Sequence, residues 1–508
     1  MKDIFIEKFW TKLMVASKSV NKIPTEYMKY SQNARIFDWW IWPRKWKRLI
    51  INSTLWTKNQ GAFELNSKLY QVTNSKIYEI DTVNETQTEI DDLWYDERVD
   101  VLVYNSQYAI IASEWEILQV FDWTTITTPA TVPAWDTGGI LEYTRWYSFY
   151  WIWNILYISR PITAANPEYG YDFTGAWSQN ISFDSKITGL KGTMNWLYIF
   201  TEDKVEFIWA NSLQNVAWAA AFISTPLWFG WEPVNNLCIA ASWEKIFYIT
   251  KNLQVNTINY IQWTDSPTIW QISNRPVISI KEFLNTISPE QPSAFAFYNK
   301  NDEIIEFHVR ENNSLFDNKV LVYDIPNDTW NIDIWKNYNY VVKFWYENYW
   351  FSDINSNIYK DNEWYNDAWT SIKFLLRTQN MNQWAIRQKL YWWLLTAWWV
   401  WTQTELKYKV LVDNQSVFTD SITWNINNID SLWEIGGETI WWEPIWWELN
   451  YISEITPFDR IADEWRIWNS GKRIQIEISS NSQIQDFIID VLWIRAKQTS
   501  HTDISSKW

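Results

Sequence analysis

Two histidines, one cysteine and many carboxylates are the groups in this 508-residue chain that could do chemistry. His308 stands in the strand-like run "IEFHVRE" and His501 in a polar tail. No His/Cys cluster has the short ligand spacings a metal such as zinc requires. Cys238 lies in "NNLCIAAS", an apolar context that suits a buried, inert thiol better than a nucleophile. Asp172, Asp184, Glu202 and Asp203 lie near turns. Two acids could act as a glycosidase pair, but such a pair is defined by its separation in space. The bland alternative is solvated turn acids. The run "DDLWYDERVD" (91–100) could bind Ca²⁺, yet it lacks the Gly-spaced ligand loop of an EF-hand. The sequence therefore nominates no catalytic, cofactor-binding or metal-binding residue. The chain reads as a non-enzyme that needs no cofactor.

The elements that would position such groups are strands. Residues 1–35 read as an arm or short helix followed by an extended segment. From about 60 to 367, runs such as "KLYQV", "KIYEI", "DVLVY", "YAIIA", "KIFYIT", "AFAFY", "IIEFHV" and "KVLVYD" alternate with turn residues. They cluster at intervals of roughly 40–50 residues, the period of propeller blades. "KIYEIDTVNETQTEI", "ILQVFDWTTITT" and "KVLVYDIPNDTWNI" share one form: an apolar strand ending in an acid, a polar turn, another strand. That form is similar to the outer hairpin of a kelch-like blade. Residues 368–508 carry longer strands ("SIKFLLRTQ", "ELKYKVLVD", "QDFIIDVLWIRAK") around a loop-rich stretch, 414–470. The expected fold is all-β. It comprises an N-terminal arm and entry strands (1–59), a β-propeller of about six or seven blades (60–367), and a C-terminal β-sandwich or jelly-roll-like domain (368–508). A helix is expected only at the N-terminus and at "SIKEFLNTI" (279–287).

Composition adds an anomaly. The chain has 44 Trp and 11 Gly, where average usage gives roughly 36 Gly at this length. Many of the Trp stand in Gly contexts. "FDWW" (37–40), "VFDWTT" (120–125) and "TMNWLYIF" (193–200) place Trp after Asp or Asn between apolar runs, where Asp-Gly and Asn-Gly hairpins are expected. In "EIGGETIWWEPIWWELN" (434–450) a Gly-Gly-Glu step is followed by two Trp-Trp-Glu steps. One cause explains both numbers: UGA codons, decoded as glycine in some uncultivated bacterial lineages and their viruses, written as tryptophan. A minority of Trp should be genuine, with Trp330 the best candidate. Exposed Trp at loop tips is the structural expectation. The alternative is a truly Trp-rich carbohydrate binder. With Trp read as Gly, no G-x-S-x-G elbow and no Walker-type loop emerges.

The formal net charge of −16 gives no electrostatic footprint for nucleic-acid binding. A single Cys excludes internal disulfides, and no 18-residue apolar run exists, so no membrane insertion is expected. The N-terminus does not read as a secretory signal. "NARIFDWWIWPRKWKRLI" (33–50) reads as a strand, a tight turn and a basic strand. There Lys45, Lys47 and Arg48 either meet an acidic partner or form a solvated face.

With Trp read as Gly at turns, residues 187–262 and the N-A-R-I segment at 33–36 resemble the β-propeller virion proteins of tailed bacteriophages. These are the tail-tube, nozzle or stabilisation proteins below the portal. The resemblance spans most of the chain, though its motifs are unspecific, and it carries over no catalytic residue. It implies a non-enzymatic structural protein of the neck or tail, localised to the virion and assembled in the host cytoplasm. It further implies a homo-oligomeric ring, portal, adaptor and tail proteins as partners, and passage of DNA. An acidic lumen would suit such passage, because repulsion lets DNA slide. The readings it competes with are a cell-surface adhesin or carbohydrate-binding propeller, and a propeller glycoside hydrolase.

Overall fold

Segments such as "KLYQVT" and "KIYEID" mass apolar residues over six positions and end beside Asn, Ser or Asp, as a short strand closed by a tight turn requires. In the computed structural model they are the strands Lys68–Thr73 and Lys76–Asp81. The structure describes the chain outside 1–3, 7–11, 15–26, 38–39, 45, 54–56, 94, 96, 105, 114–115, 130–140, 145–146, 164, 176–177, 194–195, 210–224, 228–231, 244, 261–266, 274–277, 289, 292, 316, 335–336, 353, 363–372, 379–388, 400–404, 413–414, 424–465, 472–473, 482–486 and 499–508. His501, Lys45 and the repeated stretch 434–450 therefore lie outside the described residues.

The protein is all-β, built from small antiparallel sheets. The first sheet runs through Asn59–Leu65, Lys68–Thr73, Lys76–Asp81 and Thr86–Asp92 in chain order. The second spans Val99–Tyr104 to Ile126–Thr127, and the third Leu141–Thr144 to Gln179–Ser182. The fourth spans Ile187–Gly192 to Thr225–Leu227, and the fifth Ile239–Ser242 to Pro267–Gln271. The sixth set is Phe295–Asn299, Ile304–Val309, Lys319–Asp324 and Thr329–Ile334. The seventh takes three strands, Tyr338–Phe344, Glu347–Ser352 and Ile358–Asn362, from late in the chain. Its fourth is Trp46–Ile51, which lies N-terminal to the expected boundary at 60.

Apolar faces explain why these sheets stack. Phe63, Tyr70 and Val72 of the first pack on Val99, Ile111 and Phe121 of the second. Further clusters join the second to the third, the third to the fourth, and the fourth to the fifth. The helix Ile278–Thr286, matching the expected one, inserts Ile280, Phe283 and Leu284 between the fifth and sixth. Phe295, Tyr338 and Trp350 join the sixth to the seventh. Phe344, Phe351 and Ile358 of the seventh then pack on Ala62, Leu69 and Tyr78 of the first. First strands of neighbouring sheets approach closely: a Cβ at Gly61 of the first would come within 2.5 Å of Val99 of the second, and one at Gly189 of the fourth within 2.6 Å of Ile239 of the fifth.

The sixth set does not stop at its fourth strand. Thr329–Ile334 continues through Lys12–Met14 and Tyr27–Gln32 to Phe374–Thr378, Ile474–Ser480, Glu405–Val412 and Gln415–Thr423, making ten strands. A separate sheet orders Arg466–Gly471, Lys389–Trp399, Phe487–Gln498, Trp40–Pro43 and Ala34–Phe37, with Ile4–Ile6 also on Phe487–Gln498. The N-terminal residues, read as an arm or short helix, are thus strands where they are described. They fall partly in the C-terminal sheets and partly in the seventh sheet. No helix among the described residues is long and apolar enough to cross a membrane.

Ile51 is buried where the N-terminal strand closes the seventh sheet on the first. Ile51→Ala should therefore cost about 2–5 kcal/mol. Urea unfolding should show this as a lower midpoint at unchanged slope, and a change within error would contradict the closure.

Candidate functional site

Two polar constellations stand out. The first forms where the first strands meet. Asp100 comes from Val99–Tyr104, Glu142 from Leu141–Thr144, Lys191 from Ile187–Gly192 and Tyr340 from Tyr338–Phe344. Each strand contributes one of these side chains to the group. Lys191 Nζ lies 3.0 Å from the Glu142 carboxylate. Asp100 Oδ2 accepts the Leu141 N–H at 3.0 Å. Arg98, just before the second sheet, reaches the opposite side of the group. Its Nη1 donates to the Ser293 carbonyl at 2.5 Å and its Nη2 to the Asn339 carbonyl at 2.6 Å. Its guanidinium also faces the Tyr340 ring, 5.8 Å from the centroid.

Burial governs the electrostatics. Asp100 is half-buried and enclosed by protein. Burial pushes its carboxyl up to about 6, with Glu142 adding to the rise and the Leu141 N–H, Lys191 and Arg98 opposing it. For Lys191, burial works to lower the pKa, but Glu142 and Asp100 outweigh it and the ammonium is held above its usual range. The Tyr340 hydroxyl is raised by burial and by Asp100, against the pull of Arg98. The result is a charge-balanced group in which Asp100 is the acid closest to taking up a proton near neutrality.

The second constellation is the junction between the sixth sheet and the C-terminal strands. Asn33, at φ 54°, is buried with Ala34 and Arg44. Its N–H donates to the Ile332 carbonyl at 2.9 Å, and its side-chain oxygen accepts from the Ile334 N–H at 3.2 Å. Its amide and that of Gln32 both donate to the Lys373 carbonyl at 2.8 Å. Arg35 forms two hydrogen bonds to Asp333, at 2.7 and 3.1 Å, and lies 3.6 Å from Glu306. Burial opposes its charge, but Asp333 and Glu306 hold the proton more tightly than usual. Asn331 Nδ2 donates to Asp333 at 2.7 Å, and the Ser31 hydroxyl to the Trp330 carbonyl at 3.2 Å.

The residues singled out from sequence are not brought together. His308 is buried, stacked on Phe295 with ring centroids 4.2 Å apart, and its Nε2 lies 3.2 Å from Glu306. Cys238 is buried and its thiol is pushed up, first by burial and then by Asp317. Asp172 pairs with Arg160 at 3.2 Å and caps the turn at Thr174 and Gly175. Asp184 and Lys204 are 3.5 Å apart, and Glu202 and Asp203 are exposed. Lys47 is buried against Asp361 and over the Trp350 ring, while Arg48 is exposed and pairs with Glu85. In the run 91–100, Asp91 accepts the Ile126 N–H at 2.9 Å, and Arg98 and Asp100 join the central group. Among the described residues no cluster of three or more His, Cys, Asp or Glu is placed to hold a metal. Sequence reasoning missed Glu142, Lys191 and Tyr340, and marked Arg98 and Asp100 only as members of the acidic run 91–100. The available signal was a charge inside an otherwise apolar first strand, as in "VDVLVY".

No family model matches the chain, and no curated protein matches it. Among solved structures, a computationally designed protein aligns with 62% of this chain and 100% of its own at 9% identity and a TM-score of 0.37. The extracellular domain of a two component system from B. thetaiotaomicron aligns with 64% of this chain and 40% of its own. That match has 11% identity and a TM-score of 0.41. These likenesses are too distant to carry an argument.

The raised Asp100 carboxyl makes a signed prediction. Below about pH 4 the acid is protonated in folded and unfolded chains alike. Between about 4 and 6 only the folded chain keeps the proton, so stability falls as pH rises, and above 6 the loss is complete. Asp100→Asn should therefore stabilise the protein by about 1–3 kcal/mol at pH 8 and by nothing at pH 4. Urea unfolding at the two pH values checks it; equal effects at both would contradict it.

Proposed function

We propose that the seven stacked sheets are the blades of a β-propeller, and that the strands of 368–508, with their N-terminal partners, form a β-sandwich-like module. The protein then serves as a non-enzymatic structural component of a tailed-phage virion, in the neck or tail. Support for the propeller comes from the return of the packing from the seventh sheet to the first. It comes also from Arg98, which ties the second sheet to the sixth and seventh. Completing the last blade with an N-terminal strand is one way such folds protect their edges.

The observation that carries the structural reading is the junction. The N-A-R-I segment, on which the resemblance to phage propeller proteins partly rests, is a buried clasp. It hydrogen-bonds one blade edge to the C-terminal strands. A continuous ten-stranded sheet runs from the sixth sheet into the C-terminal strands, and in this reading it stiffens the chain as a load-bearing assembly component requires. In this reading copies form a closed ring through heterologous interfaces. They contact portal, adaptor and tail proteins, and an acidic lumen would let DNA pass.

One observation favours a second reading, glycoside hydrolysis: Asp100 and Glu142 stand on neighbouring first strands, Asp100 with a raised pKa and Glu142 at 3.0 Å from the Lys191 ammonium. Purified particles decide between the two. The structural reading expects the chain in a fixed ratio to the portal protein, and no glycan cleavage by the purified chain. Absence from particles, or glycan cleavage abolished by Asp100→Asn and Glu142→Gln, would overturn it.

A further inference from the structure

Tight two-residue hairpins recur through the sheets, and their backbones demand particular residues. In the first sheet, Asn66-Ser67 and Asn74-Ser75 bridge Leu65 to Lys68 and Thr73 to Lys76 with positive φ at both positions. Asn and Ser at such turns are ordinary, because their side chains tolerate or support the left-handed region. Three other hairpins of the same length place Trp at the first position. Trp153-Asn154 bridges Ile152 to Ile155, the turn that opens at Trp243 joins the paired residues Ser242 and Lys245, and Trp345-Tyr346 bridges Phe344 to Glu347. The φ values are 54° at Trp153, 54° at Trp243 and 58° at Trp345. Asn154 and Tyr346 do not share the positive φ, so Trp153 and Trp345 hold the position that a II′ turn reserves for glycine. Trp123, at φ 74°, follows Asp122 in the loop from Phe121 to Ile126.

Burial divides the same residues independently. Trp123, Trp153, Trp243 and Trp345 are 50–73% exposed, whereas Trp151, Trp330 and Trp350 are at most 6% exposed. The buried three lie in strands and use their rings: Trp330 packs on Tyr323 at 4.6 Å, and the Trp350 indole N–H donates to Asp361 at 2.9 Å. An exposed indole at a left-handed turn tip gains little. Lys186 and Lys300 approach the Trp153 and Trp243 rings only to 5.5 and 5.4 Å, the weak surface form of a cation–π contact. Meanwhile no glycine among the described residues has a positive φ, and Gly61 and Gly189 occur where strands pack too closely for a Cβ.

We infer that the native residues at 123, 153, 243 and 345 are glycines encoded by UGA, and that those at 151, 330 and 350 are true tryptophans. The consequence for function is direct. Trp243 and Trp345 both top turns between the first and second strands of their sheets, where an exposed indole could stack on a sugar. With glycine at 243 and 345 those two indoles are gone, and a carbohydrate-binding reading loses them as support.

Peptide mass mapping of the protein from its native source tests the assignment. Each of the four turn peptides should be lighter than its Trp form by the Trp–Gly mass difference, and the peptides containing 151, 330 and 350 should have the full Trp mass. Trp at any of the four, or Gly at any of the three, overturns it. In the recombinant Trp-containing chain, Trp153→Gly and Trp345→Gly should each raise the urea midpoint, and Trp330→Gly and Trp350→Gly should each lower it. The opposite pattern also overturns the assignment.

Discussion

A guanidinium that cannot shed its proton sits inside this protein against Asp333, and much of the architecture is arranged around it. Two charges taken from water are tolerated only with good geometry and further hydrogen bonds. Arg35 has both: a two-pronged contact to Asp333, and Glu306 nearby. Asp333 is itself held by Asn331, and the strand carrying Arg35 is pinned by Asn33. Breaking one partner would strand the other, so the clasp forms completely or fails. Its position makes it consequential. It lies where the outer strand of the sixth sheet becomes the middle of a ten-stranded sheet, and so couples the N-terminus, the seven stacked sheets and the C-terminal strands.

The group around Asp100 obeys a related constraint. Apolar faces drive seven sheets to stack until the last meets the first, and that process crowds the first strands together. Gly61 and Gly189 accommodate the closest approaches. Charges that end up there must compensate one another. Lys191 with Glu142, and Arg98 with two backbone carbonyls, do so. Burial is what raises the Asp100 pKa, with Glu142 adding to the rise against the Leu141 N–H, Lys191 and Arg98.

Much of the strand content was legible in the sequence, because a period-two or fully apolar run bounded by turn residues has few alternatives. "KVLVYD" and "TWNIDI" became the antiparallel pair Lys319–Asp324 and Thr329–Ile334, and Trp330 stands in the strand that follows the turn, where it is buried. The helix near 279–287 was readable from its own period. Partnerships at long range were not legible. Arg35 and Asp333 lie nearly three hundred positions apart, and Trp46–Ile51 completes a sheet whose other strands begin at Tyr338. Asp100, Glu142 and Lys191 each look like a stray charge in a strand until three sheets bring them together. The turn acids and His308 drew attention by type alone, and residue type does not reveal that a group is already engaged.

The claim that the N-terminal clasp makes one stiff body of the two parts is tested most directly by a double-mutant cycle on Arg35→Met and Asp333→Asn, read by urea unfolding with probes in both parts. The account predicts that each single change costs about 3–5 kcal/mol, because the remaining charge is left buried. The double change should cost much less than the sum, and either single change should split one unfolding transition into two. Additive costs, with a single transition preserved in every variant, would contradict it.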